Sequence, residues 1–310
     1  MKVGIIGAGA MGSLFGGKLS LRGHDVVLYD VYLEHVRHVA SQGLSIEDAQ
    51  SGQVVVARPG ASADPASVQG ADILVVFVKS PSTEAVAAQF APLAGPQSIA
   101  LTLQNGLGNE AILRDHFGPT RTAAGVTSQG ATFLGPGKIR HAGVGPTHIA
   151  MADGRSERLR EFADALTDAG FETHVEKDVA GLVWSKLVIN VGINALTALM
   201  GQPNGRLLDF EESRQLMATL VEEAVSVAVR RGIRLSYPDP LATVMEVARK
   251  TGANRSSMLQ DFDRGRQTEI DYMNGAVVRE AAAVGMKVPA NETVTRLIKA
   301  LERARVRPEA

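Results

Sequence analysis

The chain has 310 residues, 32 basic against 33 acidic side chains, a net charge of -1, 45% hydrophobic residues and no cysteine. Balanced charge gives no general attraction to nucleic acid or an anionic membrane. The missing cysteine excludes disulfides, thiolate metal sites, iron–sulfur clusters and a cysteine nucleophile, and is compatible with the reducing cytoplasm, the expected location.

Length alone suggests about two domains. The first apolar stretch follows only Met1 and Lys2 and breaks at Gly7, Gly9 and Gly12 without a cleavage pattern, so no signal peptide is expected. The longest apolar stretch, Leu182 to Met200, carries Ser185, Lys186, Asn190 and Asn194, and no membrane span is expected there.

In chain order, Val3–Ile6 reads as a short strand, residues 10–21 as a helix and Val26–Tyr29 as a second strand. Further strands are expected at Ile73–Val78 and Ile99–Leu103, with a helix over 82–93 between them. That alternation indicates a parallel sheet covered by helices, and the wholly apolar run at Ile73 suits a strand buried on both faces. Residues 127–149, broken by Gly130, Gly135-Pro136-Gly137 and Gly143 to Pro146, read as antiparallel hairpins appended to that sheet. Residues 156–169 should be helical and Phe171–Val175 a last strand. Beyond about residue 177, helices are expected over 178–200, 211–232, 238–251, 267–284 and 290–307. The expected fold is an α/β Rossmann-type N-terminal domain over 1–175, with the antiparallel segment appended, then an all-helical domain over 176–310.

Gly7-Ala8-Gly9-Ala10-Met11-Gly12 follows the first strand and opens the first helix. In a dinucleotide site the first glycine makes the tight turn, the second admits the pyrophosphate, and the third lets helix and strand pack closely. The helix N-terminus then offers N–H groups to the phosphates. Asp30 ends the second strand, where an acid can accept the ribose hydroxyls and repel a 2′-phosphate, so NAD(H) is the preferred cofactor. A helix-capping role is compatible with that. Lys79, at another strand end, reads either as a contact to the cofactor or as an exposed lysine.

Several segments together resemble one family: the glycine loop; Phe77-Val78-Lys79; Gln104-Asn105-Gly106 with Gly108-Asn109-Glu110; Trp184-Ser185-Lys186 through Asn190 to Asn194; Ser256-Ser257-Met258 with Gln260-Asp261; and Thr268-Glu269-Ile270-Asp271-Tyr272 with Asn274-Gly275. In combination and order they resemble the ketopantoate reductases (2-dehydropantoate 2-reductases), across almost the whole chain. The resemblance implies NAD(P)H-dependent reduction of 2-dehydropantoate to (R)-pantoate, a step toward pantothenate and coenzyme A. It implies Lys186 as proton donor and Glu269 as its support. Asn190, Asn194, Asn254 and Ser257 would hold the substrate, and Asn105 would lie near the nicotinamide ribose. Family members that use NADPH carry an arginine about where Val31 stands here, so the resemblance speaks more strongly for the reaction than for the family's usual NADP(H). Relatives that are NAD-dependent D-2-hydroxyacid dehydrogenases give an alternative reading, and a dinucleotide-binding sensor without turnover gives a second.

Lys186, Asn190 and Asn194 follow one another at four-residue steps and share a helix stripe. On spacing alone that stripe reads first as a solvent face; the family match assigns it to the site. Either Ser256 or Ser257 fits a helix N-cap, Glu269 fits a first-turn acid, and Asn105 fits a turn residue before Gly106. His35 and His38 are expected on a surface helix, and His141 and His148 among the hairpins. No metal is expected. The partners expected are a small 2-keto acid, neither nucleic acid nor membrane, and a second copy if the Met and Leu residues of the helical half form a dimer face rather than core.

Overall fold

In the computed structural model, which describes residues 1–305, β1 (Lys2–Ile6) is an interior strand of an eight-stranded sheet. The chain continues through α1 (Ala10–Ser20), β2 (Asp25–Tyr29), α2 (Leu33–Gln42), β3 (Leu44–Asp48), β4 (Val54–Ala57), β5 (Gly60–Ser62) and β6 (Ile73–Val76). Next come α3 (Thr83–Phe90), β7 (Ile99–Thr102), α4 (Asn109–Phe117), β8 (Thr122–Thr127), β9 (Gly130–Gly135), β10 (Lys138–Gly143), β11 (Thr147–Met151), α5 (Arg160–Asp168) and β12 (Thr173–Val175). The main sheet runs β12-β11-β8-β7-β6-β1-β2-β5, parallel except where β11 meets β8. Its two faces follow from the two-residue period of a strand. On β6, Ile73 and Val75 enter one core with Val3, Ile5, Leu14 and Phe15, while Leu74 and Val76 enter the other with Ile6, Phe90 and Phe117. A strand apolar at every position is what two covered faces require.

The hairpin region departs from expectation. β8 and β11 pair antiparallel within the main sheet, but β9 and β10 leave it. They build a second sheet, β4-β3-β10-β9, with strands from residues 44–57 that the sequence reading left unassigned. β3 is partly polar, and although it pairs with the neighbouring β4, the rest of its sheet, β10 and β9, lies far along the chain.

The second unit comprises Asn105–Gly108 and the chain from Ala180 onward. It contains α6 (Ala180–Met200), α7 (Glu211–Arg230), α8 (Pro240–Lys250), α9 (Ser257–Asp263), α10 (Asn274–Ala283) and α11 (Pro289–Arg305). α6 is long and apolar enough to cross a membrane, yet most of its length is buried in protein. Leu187, Val188, Val191, Ile193 and Leu196 lie in one core with Met217, Leu220, Val244, Met258 and Ile298. The single helix expected over 267–284 is instead a 3-10 turn, Ile270–Tyr272, followed by α10. Met273, at φ -110 and ψ -100, breaks the helical path between them. Glu269 therefore precedes a tight turn and is not a first-turn acid of α10.

Candidate active site

The glycine loop has the geometry of a phosphate cradle. Gly7 sits at φ +97, and a Cβ there would meet the backbone of Phe77 and Val78 at 2.9 and 2.7 Å. A Cβ on Gly12 would stand 2.0 Å from the Gly7 carbonyl oxygen. Gly9, by contrast, is exposed and has nothing within 4 Å of a Cβ position. Two glycines are thus required by packing, and the one between them leaves space where a pyrophosphate would approach. Gly9 caps α1 without a side-chain acceptor, and no acid stands in the first turn, Ala10, Met11 and Gly12 included. That end of the helix suits an anion.

Asp30 is built into this loop. One carboxylate oxygen accepts the N–H of Ala8 at 2.7 Å and the other accepts that of Tyr32 at 2.9 Å. Val31 is exposed beside it. Lys79 is exposed and directly follows Val78, whose backbone abuts Gly7, so the chain brings it to the rim of the same loop. These residues fit a nicotinamide dinucleotide: two obligatory glycines, an open third, a helix N-terminus and an acid at the second strand.

In the helical unit a second set of polar groups meets. Lys186 on α6 is partly buried. Burial pushes its pKa down from 10.5 to about 8, although the Glu269 carboxylate pulls in the opposite direction. Glu269 itself is only 6% exposed. Asn190, one turn on, is partly buried, and Asn194 is 7% exposed. The stripe is therefore no solvent face. Asn194 Nδ2 donates toward Ser257 Oγ and Met273 Sδ, each at 3.4 Å.

The two serines separate cleanly. Ser256 caps α9, its Oγ accepting the Leu259 N–H at 3.1 Å and meeting Thr197 Oγ1 at 2.6 Å. Ser257, one residue on, is left to face Asn194. Asn254 has an exposed side chain, and its carbonyl accepts the N–H of Asn204 at 2.9 Å.

Asn105 belongs to the short segment counted with this unit. There Leu107 N–H donates to Tyr272 O at 2.9 Å, and Gly106, at φ +84, would set a Cβ 2.2 Å from that same oxygen. The segment is thereby joined to the turn that follows Glu269. Asn204 was missed by the sequence reading, where Pro203-Asn204-Gly205 looks like a turn. Its Nδ2 donates to Thr251 Oγ1 at 2.8 Å, while its buried Oδ1 has no donor among the described residues. Among the described residues no cluster of His, Asp or Glu is arranged to hold a metal. His35 corrects the surface-helix expectation, being only 1% exposed.

Residues 3–154 match the family described as ketopantoate reductase PanE/ApbA, and residues 178–302 match its C-terminal region. A 2-dehydropantoate 2-reductase of Halobacterium salinarum is 37% identical over 304 residues, covering 98% of this chain and 99% of the relative. One from Archaeoglobus fulgidus is 33% identical, covering 97% and 98%. The crystal structure of a PanE/ApbA family ketopantoate reductase from Ralstonia eutropha superposes with a TM-score of 0.91 at 35% identity, covering 98% of this chain and 99% of that one. D-mandelate dehydrogenase, in a ternary structure with NADH and anilino(oxo)acetate, gives 0.89 at 28% identity, again over 98% and 99%. A Rossmann sheet with its glycine loop, followed by a helical unit and matched end to end, makes this chain a member of the ketopantoate reductase family of oxidoreductases.

Proposed function

We propose that the protein reduces 2-dehydropantoate to (R)-pantoate, with NADH as the preferred cofactor. The observation that carries the reading is Lys186, an ammonium set in an apolar helix, with burial and Glu269 together bringing its pKa to about 8. When bound, the reduced nicotinamide supplies the hydride. As negative charge builds on the keto oxygen, Lys186 releases its proton to that oxygen; a pKa near 8 keeps it charged at neutral pH yet willing to give the proton up. Glu269 holds the lysine in its charged form and orients it.

Asn190, Asn194 and Ser257 hold the substrate through hydrogen bonds without exchanging protons, and Asn254 shares that task. Gly7, Ala8, Gly9, Ala10, Met11 and Gly12 bind the pyrophosphate, Asp30 binds the ribose, and Lys79 and Asn105 complete the cofactor contacts.

Steady-state rates with 2-dehydropantoate and a panel of branched and aromatic 2-keto acids, each with NADH and NADPH, test the reading. Highest kcat/KM with 2-dehydropantoate and NADH is expected. An aromatic or other branched keto acid as best substrate would move the protein to the D-2-hydroxyacid dehydrogenases. Cofactor binding without turnover of any acid would make it a sensor.

A further inference from the structure

His35 lies on α2, outside every motif used above, yet it is buried and fully engaged. Its Nδ1 accepts the backbone N–H of Gly137 at 2.9 Å. A ring that accepts at Nδ1 is neutral only with its proton on Nε2. Nε2–H therefore points at Ser13 Oγ, 3.1 Å away. Ser13 has one hydroxyl proton, and it goes to the carbonyl of Ala8 at 2.8 Å. The direction of every hydrogen in the chain is thus fixed: Gly137 to His35, His35 to Ser13, Ser13 to Ala8.

Ala8 is held at both ends of its backbone, since its N–H already belongs to Asp30. The Phe133 ring meets the His35 ring edge-on, with centroids 5.1 Å apart, and limits its rotation. Gly137 sits at φ +68 in the β9–β10 turn, a backbone conformation that favours glycine, and a Cβ there would press on the His38 ring.

We infer that His35 is a positioning residue for the dinucleotide, fixing through Ser13 the orientation of the Ala8 peptide in the phosphate-binding loop. The inference rests on reading Gly7–Gly12 as the cofactor's phosphate site. A preorganised loop meets the pyrophosphate without reordering, so its benefit falls on cofactor affinity.

The two ring nitrogens can be separated by substitution. His35→Gln places an amide N–H near the Nε2 position and keeps a donor for Ser13, losing the Gly137 acceptor. His35→Asn places an acceptor near Nδ1 and keeps Gly137, losing the donor to Ser13. The experiment measures the Kd of NADH by fluorescence titration, together with kcat and both KM values, after circular dichroism shows each variant folded. His35→Asn should raise the NADH Kd about tenfold, as the loss of one hydrogen bond predicts, with the KM for the keto acid little changed. His35→Gln should retain most of the affinity. Ser13→Ala, a smaller change in case the histidine variants fold poorly, should reproduce His35→Asn, and Ser13→Ala combined with His35→Asn should be no worse than either alone. Equal weakening by Gln and Asn, or NADH binding by Ser13→Ala at the wild-type Kd, would overturn the inference while leaving the cofactor site standing. Failure of the unsubstituted protein to bind either NADH or NADPH would overturn the cofactor reading and the inference with it.

Discussion

The Asp30 carboxylate accepts the backbone N–H of Ala8 at 2.7 Å, tying the acid at the end of β2 to the turn after β1. The residue proposed to choose between NADH and NADPH thus also shapes the loop proposed to hold the cofactor's phosphates. Asp30→Ala should weaken NADH binding and lower the melting temperature, since a hydrogen bond to a charged group is worth about 1.5–3 kcal/mol. Adding Val31→Arg, at an exposed position, should raise the NADPH-to-NADH ratio of kcat/KM about tenfold over Asp30→Ala alone through guanidinium–phosphate pairing. A wild-type enzyme already more efficient with NADPH would contradict the assignment of Asp30.

The glycine loop makes a paired prediction. Gly9→Ala meets no atom, so it should change folding stability by no more than about 1 kcal/mol, the scale of an N-cap change, yet weaken cofactor binding. Gly12→Ala drives a methyl group into the Gly7 carbonyl and should destabilise by about 3 kcal/mol, the upper end for overpacking. Urea unfolding alongside NADH titration separates the two; a Gly9→Ala protein with wild-type affinity would remove the pyrophosphate from that face.

Ser256 and Ser257 differ in role although they are adjacent. Ser256→Ala should cost about 1 kcal/mol of stability by uncapping α9. Ser257→Ala should leave the melting temperature in place and raise the KM for 2-dehydropantoate at least tenfold, as expected for a lost bond to a charged substrate. An unchanged KM in Ser257→Ala would take that side chain out of the substrate site.

Lys186 should set the pH profile. The proton donor must carry its proton, so kcat for reduction should fall as pH rises through about 8. Glu269→Gln removes the charge that raises the lysine pKa, and the alkaline limb should move to lower pH. Lys186→Ala should lower kcat by about 10²–10⁴-fold with NADH affinity kept. Lys186→Arg should rescue poorly, because guanidinium holds its proton. Single-turnover hydride transfer across pH 6–10 checks all three; near wild-type transfer by Lys186→Ala would exclude the lysine from the chemistry.

What the sequence revealed were features encoded locally. The glycine loop carries its own turn chemistry and could be read without neighbours; the Lys186–Asn190–Asn194 stripe carries its own period, but spacing alone reads it as a solvent face and only the family resemblance assigns it to the site. What it concealed depends on distant partners. β3 and β4 pair locally, but the sheet that holds them is completed only when β10 and β9 lie beside β3. His35 looks like a surface residue until Gly137 and Ser13 are seen to close around it. α9 spans only seven residues, too few for periodicity to announce it, and so the serine that caps it could not be told from the one beside it.

The segment Asn105–Gly108 has a consequence for how the protein is made. A ribosome delivers Leu107 long before Tyr272, the residue whose carbonyl its N–H requires. A nascent chain released at Val179 would hold every strand of both sheets yet leave that amide without its native acceptor. The N-terminal half therefore cannot be excised by one cut without stranding a piece that packs with the other half, and this contact can form only after Tyr272 has been made.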